Sequence, residues 1–149
     1  MRRIILFLTL LLLSTSTALA TEPAPTRAKE VTAKEAFELS ERCAKFATQK
    51  FKEEFGKEGC KRETDGQLYC TSYSNHYNSK QNKCYILIKT HVNGGDDVSD
   101  MRVLFDLHEN KDIASLHVIK YKIIDCRALN KSCKSEEEWE SLTKPYMEE

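Results

Sequence analysis

The first strong pattern along the chain is a helical repeat. Apolar and small residues recur at three- and four-residue steps over about residues 33–55 and stop at Gly56. Thr32 and Glu35 have the spacing of a capping box, which satisfies backbone N–H groups at a helix start. The spacing therefore predicts a long amphipathic helix with Cys43 on its buried stripe.

Strand-like patterns follow this helix. Four segments mix alternating apolar and polar residues and are separated by turn-forming residues; they span about 67–74, 83–92, 101–108 and 112–124. Asn93-Gly94-Gly95 and residues 108–111 have the composition of hairpin turns. We therefore predict an α+β fold in which the long N-terminal helix packs on a four-stranded antiparallel meander.

The chain closes with the pattern of a short helix. Ser135 and Glu138 form a second capping box, and Trp139 and Leu142 follow before Pro145. Trp139 is the only tryptophan of the chain. We expect it to seal the sheet or the end of the long helix.

The second predicted strand has two different sides, because successive side chains of a strand point to opposite faces. One side carries Cys84 together with aliphatic residues, so it is expected beneath the long helix. The outward side consists of Tyr85, Leu87, Lys89 and His91. A mixture of aromatic and charged groups of this kind is typical of protein interfaces.

The N-terminal segment has the features of an export signal. Arg2 and Arg3 precede an apolar run of about ten residues, and the small residues that follow end at Ala20. Crossing a bilayer takes roughly 20 apolar residues, so this run is too short for an anchor. We predict a signal peptide at 1–20, a flexible linker at 21–31 and one disulfide-linked α+β domain at 32–149, located in the periplasm or secreted.

Charge gives little indication of a polyanionic partner. The 149 residues contain 23 Lys and Arg and 23 Asp and Glu, and removing residues 1–20 leaves a formal charge of −2. A domain close to neutrality has no general attraction for nucleic acid or anionic lipid. We therefore expect no nucleic-acid partner and no membrane anchor.

Six cysteines, an even number, lie in the predicted mature chain, which is typical of a disulfide framework in an exported protein. They are not spaced as Cys-x-x-Cys, which excludes thioredoxin-like chemistry and c-type haem attachment. We predict the pairs Cys43–Cys84, Cys60–Cys70 and Cys126–Cys133. The main alternative joins Cys70 to Cys84 and Cys43 to Cys60.

A polar and aromatic cluster occupies residues 73–85, around a predicted hairpin turn. Together with the outward strand side it supplies the candidate binding residues, which are Tyr73, His76, Tyr77, Asn78, Lys83, Tyr85, Lys89 and His91. Turn chemistry alone also accounts for Asn and Tyr at such a place.

With Cys43, the segments His76-Tyr77-Asn78 and Lys83-Cys84 resemble those of small uncharacterised bacterial exported (periplasmic) proteins. This resemblance implies an exported domain and brings no known activity.

Metal-binding patterns are weak. The four histidines lack the short ligand spacings of zinc sites, although His91 and His117 can meet across strands. Asp96, Asp97 and Asp100 offer oxygen ligands suited to calcium, but the EF-hand pattern is missing and a solvated acidic turn explains them better. We predict neither a metal site nor a cofactor.

Catalytic motifs are also missing, including nucleophile elbows, zinc-protease motifs and phosphate-binding glycine loops. The favoured interpretation is a non-catalytic exported binding or interaction protein, with an inhibitor- or immunity-like role toward a protein partner in the cell envelope as one form of it. The alternative is a small secreted hydrolase or nuclease using His76, His117 and Lys83. A further alternative is a metal or small-ligand carrier.

Overall fold

A computed structural model describes residues 32–57, 59–94 and 97–148, so the predicted signal peptide and linker lie outside the described residues. The helices are α1 (Ala33–Phe55) and α2 (Glu136–Met147). The strands are β1 (Gly59–Arg62), β2 (Leu68–Asn78), β3 (Lys83–Gly94), β4 (Asp97–Asp106), β5 (Lys111–Ile119), β6 (Lys122–Ala128) and β7 (Lys131–Ser132). Within these ranges, no helix has the length and apolar character needed to span a bilayer.

The strands form one antiparallel sheet in which every strand pairs with its neighbour in sequence, in the order β1 to β7. The long helix precedes the sheet, but the predicted fold is wrong, because α1 is followed by a seven-stranded sheet and not by a four-stranded meander. The predicted strand at 112–124 is in fact two strands, β5 and β6. The connecting residues Lys120 and Tyr121 both have positive φ, 49° and 63°. Such turns usually contain Asn and Gly, so the residue types at Lys120 and Tyr121 do not indicate a break between two strands.

The other two missed strands are short. β1 is exposed throughout and shows no alternation, and β7 has two residues. β2 also runs on to Asn78, through polar residues predicted to form a turn. Pairing with β3 along its full length holds these polar residues in the sheet. Tertiary pairing therefore overrides their weak strand preference.

Helix α1 begins as predicted at a capping box. Glu35 N–H donates to Thr32 Oγ1, and Thr32 N–H donates to a carboxylate oxygen of Glu35. The buried side of the helix carries Cys43, Ala47 and Phe51. These residues belong to one core cluster with side chains of β2 and β3 and with Leu107; the strand residues are Tyr77, Cys84, Ile86 and Ile88.

Helix α2 packs on the opposite face of the sheet. Its Trp139 is buried in a second core cluster with Tyr85 and Leu104, which agrees with the prediction that Trp139 seals the sheet. Arg102 on β4 donates hydrogen bonds to Glu136 and Glu140 of the helix. Tyr85 was predicted on an accessible face, and this is wrong because α2 covers that part of the face.

Three disulfides cross-link the domain, Cys43–Cys84, Cys60–Cys70 and Cys126–Cys133, the same pairs as the sequence predicts. The first joins α1 to β3, the second joins directly opposed residues of β1 and β2, and the third joins β6 to the segment before α2. Each bridge is expected to stabilise the fold by about 2–4 kcal/mol. Disulfides of this number are typical of proteins in oxidising compartments.

Candidate functional site

The polar and aromatic cluster at the β2–β3 turn is mostly internal. Tyr77 Oη donates to Asn82 Oδ1 at 2.8 Å, and the N–H of Gln81 donates to Asn78 Oδ1 at 3.0 Å. Asn78 Nδ2 also donates to the Pro145 carbonyl of α2 at 2.9 Å. Tyr77 and Asn78 are buried. These side chains close the turn and dock the C-terminal helix, so in the folded chain they are not available to a partner.

Lys83 and Asp106 form the strongest electrostatic feature of this region. Lys83 Nζ lies 2.8 Å from a carboxylate oxygen of the fully buried Asp106 and also contacts Glu109. Burial opposes ionisation of Asp106, but hydrogen bonds from Lys83 and from the N–H groups of Glu109 and His108 outweigh it and hold the pKa below its usual value. The hydrogen bond to Asp106 is the main reason that the pKa of Lys83 is raised.

Tyr85 belongs to the same network. Its hydroxyl donates to Gln81 Oε1, and its ring packs edge-on against Tyr146 at a centroid distance of 5.2 Å. Burial, followed by the nearby negative charge of Asp106, raises the pKa of Tyr85 to about 12. The side chain is therefore a neutral core residue at physiological pH.

Tyr73 also contacts the core, and His76 lies beside Tyr85 in the sheet. Tyr73 stacks on Phe51 at 4.5 Å, and its hydroxyl lies 2.9 Å from Thr48 Oγ1 on α1. His76 is directly opposite Tyr85 on the α2 face and is partly buried. Its Nε2 atom is buried and has no hydrogen-bond partner among the described residues.

Lys89 and His91 are the predicted site residues that remain accessible. They line a depression of about 580 Å³ beside α2, in the same face of the sheet. We call it the β2–β4 groove and define it by the side chains of two adjacent cross-strand rows, Ser72-Lys89-Arg102 and Cys70-His91-Asp100. The Cys60–Cys70 disulfide and Glu140 border it.

The charged side chains of the groove differ in whether they already have a partner within the protein. His91 Nδ1 lies 2.8 Å from Asp100 Oδ1, and Arg102 is held by two glutamates of α2. The exposed Lys89, by contrast, forms no ion pair or hydrogen bond with any described residue. An unpaired ammonium group is suited to receiving a carboxylate or another anion. Binding is therefore the chemistry that this arrangement supports.

The remaining histidines do not converge. His91 shares a face with Asp100, whereas His117 is opposite Met101 and therefore lies on the other face, so His91 and His117 do not meet. His76 and His117 are on opposite faces for the same reason. His117 is thus separated from the other two residues of the nuclease alternative, and Lys83 is held by its own ion pairs.

The acidic loop is also arranged differently from the sequence expectation. Asp100 lies within β4 and pairs with His91, and Asp97 begins the same strand. Asp96 lies outside the described residues. No group of three metal-ligating side chains is present in the part of the chain that the structure describes.

Sequence reasoning missed Ser72, Asp100 and Arg102 as parts of the groove. The alternation of side chains along β2 and β4 predicts part of this arrangement, because it assigns each residue to one of the two faces of the sheet. Only the strand register shows that these residues lie beside Lys89 and His91. A one-residue change of register would have moved them to the other face.

No protein-family model matches this chain, and no curated protein and no solved structure matches it.

Proposed function

We propose that this chain is an exported, non-catalytic binding domain that recognises a protein partner through the β2–β4 groove. The partner contributes a carboxylate, from an acidic side chain or a chain terminus, that pairs with Lys89. An inhibitor- or immunity-like role toward an envelope protein belongs to this proposal. The periplasm or the extracellular space is the proposed location.

The observation that carries the proposal is the unsatisfied charge of Lys89. Its neighbours in the groove already have acidic partners, since His91 contacts Asp100 and Arg102 contacts Glu136. Arg102 is therefore fixed in position, and Lys89 retains its full capacity for a new ion pair. Complementary charge at a protein interface favours specificity and rapid association.

The disulfides support the exported location. Three intrachain bridges are expected where the environment is oxidising. The leader-like pattern at residues 1–20 agrees with this location. The Cys60–Cys70 bridge also borders the groove and fixes β1 against β2, so the site is attached to a rigid edge.

The test is capture of a partner from an envelope extract with the oxidised protein. Wild-type protein is expected to retain a stoichiometric protein partner, and Lys89→Glu is expected to lose it. Reversal of the charge turns attraction for a carboxylate into repulsion, which should weaken binding by about tenfold or more.

Lys80→Glu is the matched control, because Lys80 is an exposed lysine in the β2–β3 turn, outside the groove. It should retain the partner at the wild-type level. If Lys89→Glu and Lys80→Glu retain equal amounts of the partner, the groove is rejected as the binding site. Melting temperatures of both variants should match the wild type, which separates lost recognition from lost folding.

One contact favours a second candidate function, hydrolysis. Ser99 Oγ lies 3.0 Å from His117 Nε2 on the α1 side of the sheet, the spacing of a nucleophile and its general base. Asp125 is opposite His117 but interacts with Ser115 and Arg127. Covalent labelling of Ser99 by a fluorophosphonate, lost in His117→Ala, would favour this function over binding.

A further inference from the structure

We propose that the free edge of β6 is a second docking site, which receives an extended acidic segment of a protein partner as an added strand. β7 pairs only with Arg127 and Ala128, and the N–H of Cys133 bonds to the Cys126 carbonyl. Among the described residues, positions 122–125 therefore have a neighbouring strand only on the β5 side. An unpaired strand edge offers backbone donors and acceptors for another strand.

Large apolar side chains are exposed on β6 and next to its two ends. Tyr121 is 93% exposed and Ile124 is 60% exposed, and Ile123 and Leu129 are also exposed. These four account for half of the large exposed hydrophobic side chains in the part of the chain that is described. Tyr121, Ile123 and Ile124 lie at the open end of β6, whereas Leu129 follows the end at which β7 pairs. Exposed apolar groups gathered at one place are typical of interaction sites.

The charge of the residues around β6 indicates which kind of partner segment the edge can bind. Residues 119–134 contain five Lys and Arg and a single acid, Asp125, although the whole chain has a net charge of zero. Asp125 is already engaged by Ser115 and Arg127. No ion pair joins Lys122, Lys131 or Lys134 to another described residue. The edge is thus complementary to an acidic segment.

The same features disfavour a second copy of this chain as the occupant. Two copies joined edge to edge would bring their lysine-rich edges together, and lysines on edge strands discourage such pairing. β6 also contains a bulge, because His117 pairs with Asp125 and Val118 pairs with Ile123, which leaves Ile124 without a partner on β5. An acidic strand avoids the repulsion and can cover the exposed Ile124.

The test uses the full oxidised protein and a displayed library of random peptides. Selected peptides are expected to be rich in Asp and Glu alternating with β-branched residues. Their binding should slow hydrogen exchange of amides in β6. Replacing both Lys122 and Lys131 by Glu should weaken binding of a selected peptide by about tenfold or more.

Lys45→Glu is the control, since Lys45 is an exposed residue of α1, and it should leave binding unchanged. A peptide whose binding is lost in Lys89→Glu but kept in the Lys122 and Lys131 variant would overturn the edge proposal and leave the groove proposal intact. Failure to enrich acidic peptides would overturn it as well. The edge proposal would also be overturned if the protein bound phosphatidylglycerol vesicles and no peptide slowed the hydrogen exchange of β6 amides.

Discussion

The β2–β3 and β5–β6 hairpins both carry tyrosine and lysine near their turns but have opposite surroundings. At the first turn, Tyr77, Asn78 and Tyr85 are buried and hydrogen-bonded. At the second turn, Tyr121 is almost fully exposed and Ile124 is largely so. The presence of aromatic and polar residues at the end of a hairpin is therefore not enough to identify a binding site.

The difference comes from what the rest of the chain places over each hairpin. Asn78 reaches the Pro145 carbonyl of α2, and Tyr85 packs against Tyr146. The C-terminal helix thus uses the first hairpin as part of its own docking surface. At the second hairpin, β7 covers only the far end of β6. Coverage by later elements decides which polar cluster is structural and which is accessible.

Replacement of Asp106 is expected to have the largest effect on the first hairpin. Asp106→Ala leaves two backbone N–H groups and Lys83 without their acceptor, which should lower the free energy of unfolding by about 3 kcal/mol. Urea unfolding of the oxidised protein measures the change. Asp112→Ala, at an exposed position of β5, is the control and should remain close to wild type. If Asp106→Ala and Asp112→Ala both change the free energy of unfolding only slightly, the hydrogen bonds of Asp106 do not stabilise the fold.

Asn78→Ala should have a smaller effect of the same kind. The change removes the acceptor for the Gln81 N–H and the donor to the Pro145 carbonyl, which is expected to cost about 2 kcal/mol. Thermal unfolding followed by circular dichroism reports this loss. Asn93→Ala, at an exposed position near the other end of β3, should change stability little. Tolerance of Asn78→Ala would return Asn78 to the list of candidate binding residues.

The fold and the site were predictable to different extents. The stripe of α1 and the disulfide between Cys43 and Cys84 follow from local periodicity, and the structure contains both. The number of strands did not follow, because the turn at Lys120 and Tyr121 uses a backbone conformation that its residue types rarely adopt. Alternation placed Lys89 and His91 on one face. The position of α2 on that face depends on long-range packing that no local pattern contains.

Acid conditions should also weaken the first hairpin. The pKa of Asp106 is lower in the folded chain than the value of about 3.9 usual for an unfolded one, so its ionised form stabilises folding above that pH. This contribution is lost as the pH falls through the folded-state pKa. Unfolding experiments between about pH 2 and pH 6 should show a steeper acid loss for wild type than for Asp106→Ala. Parallel curves would contradict the assigned role of the carboxylate.

The second hairpin should be almost insensitive to substitution. Tyr121→Lys and Ile124→Thr, made separately, remove exposed apolar groups and should change the free energy of unfolding by less than about 0.5 kcal/mol. The change at Ile124 should nevertheless reduce capture of an acidic strand peptide. A large loss of stability in either variant would show that the hairpin end is covered in the folded protein.

Competitive acetylation of lysines in the folded, oxidised protein tests the contrast between internal network and open groove most directly. Lys83 is held by Asp106 and Glu109, and the hydrogen bond to Asp106 raises its pKa, so its amine should react slowly. Lys89 is exposed and unpaired among the described residues and should react many times faster. Similar rates at the two lysines, or faster modification of Lys83, would contradict the account.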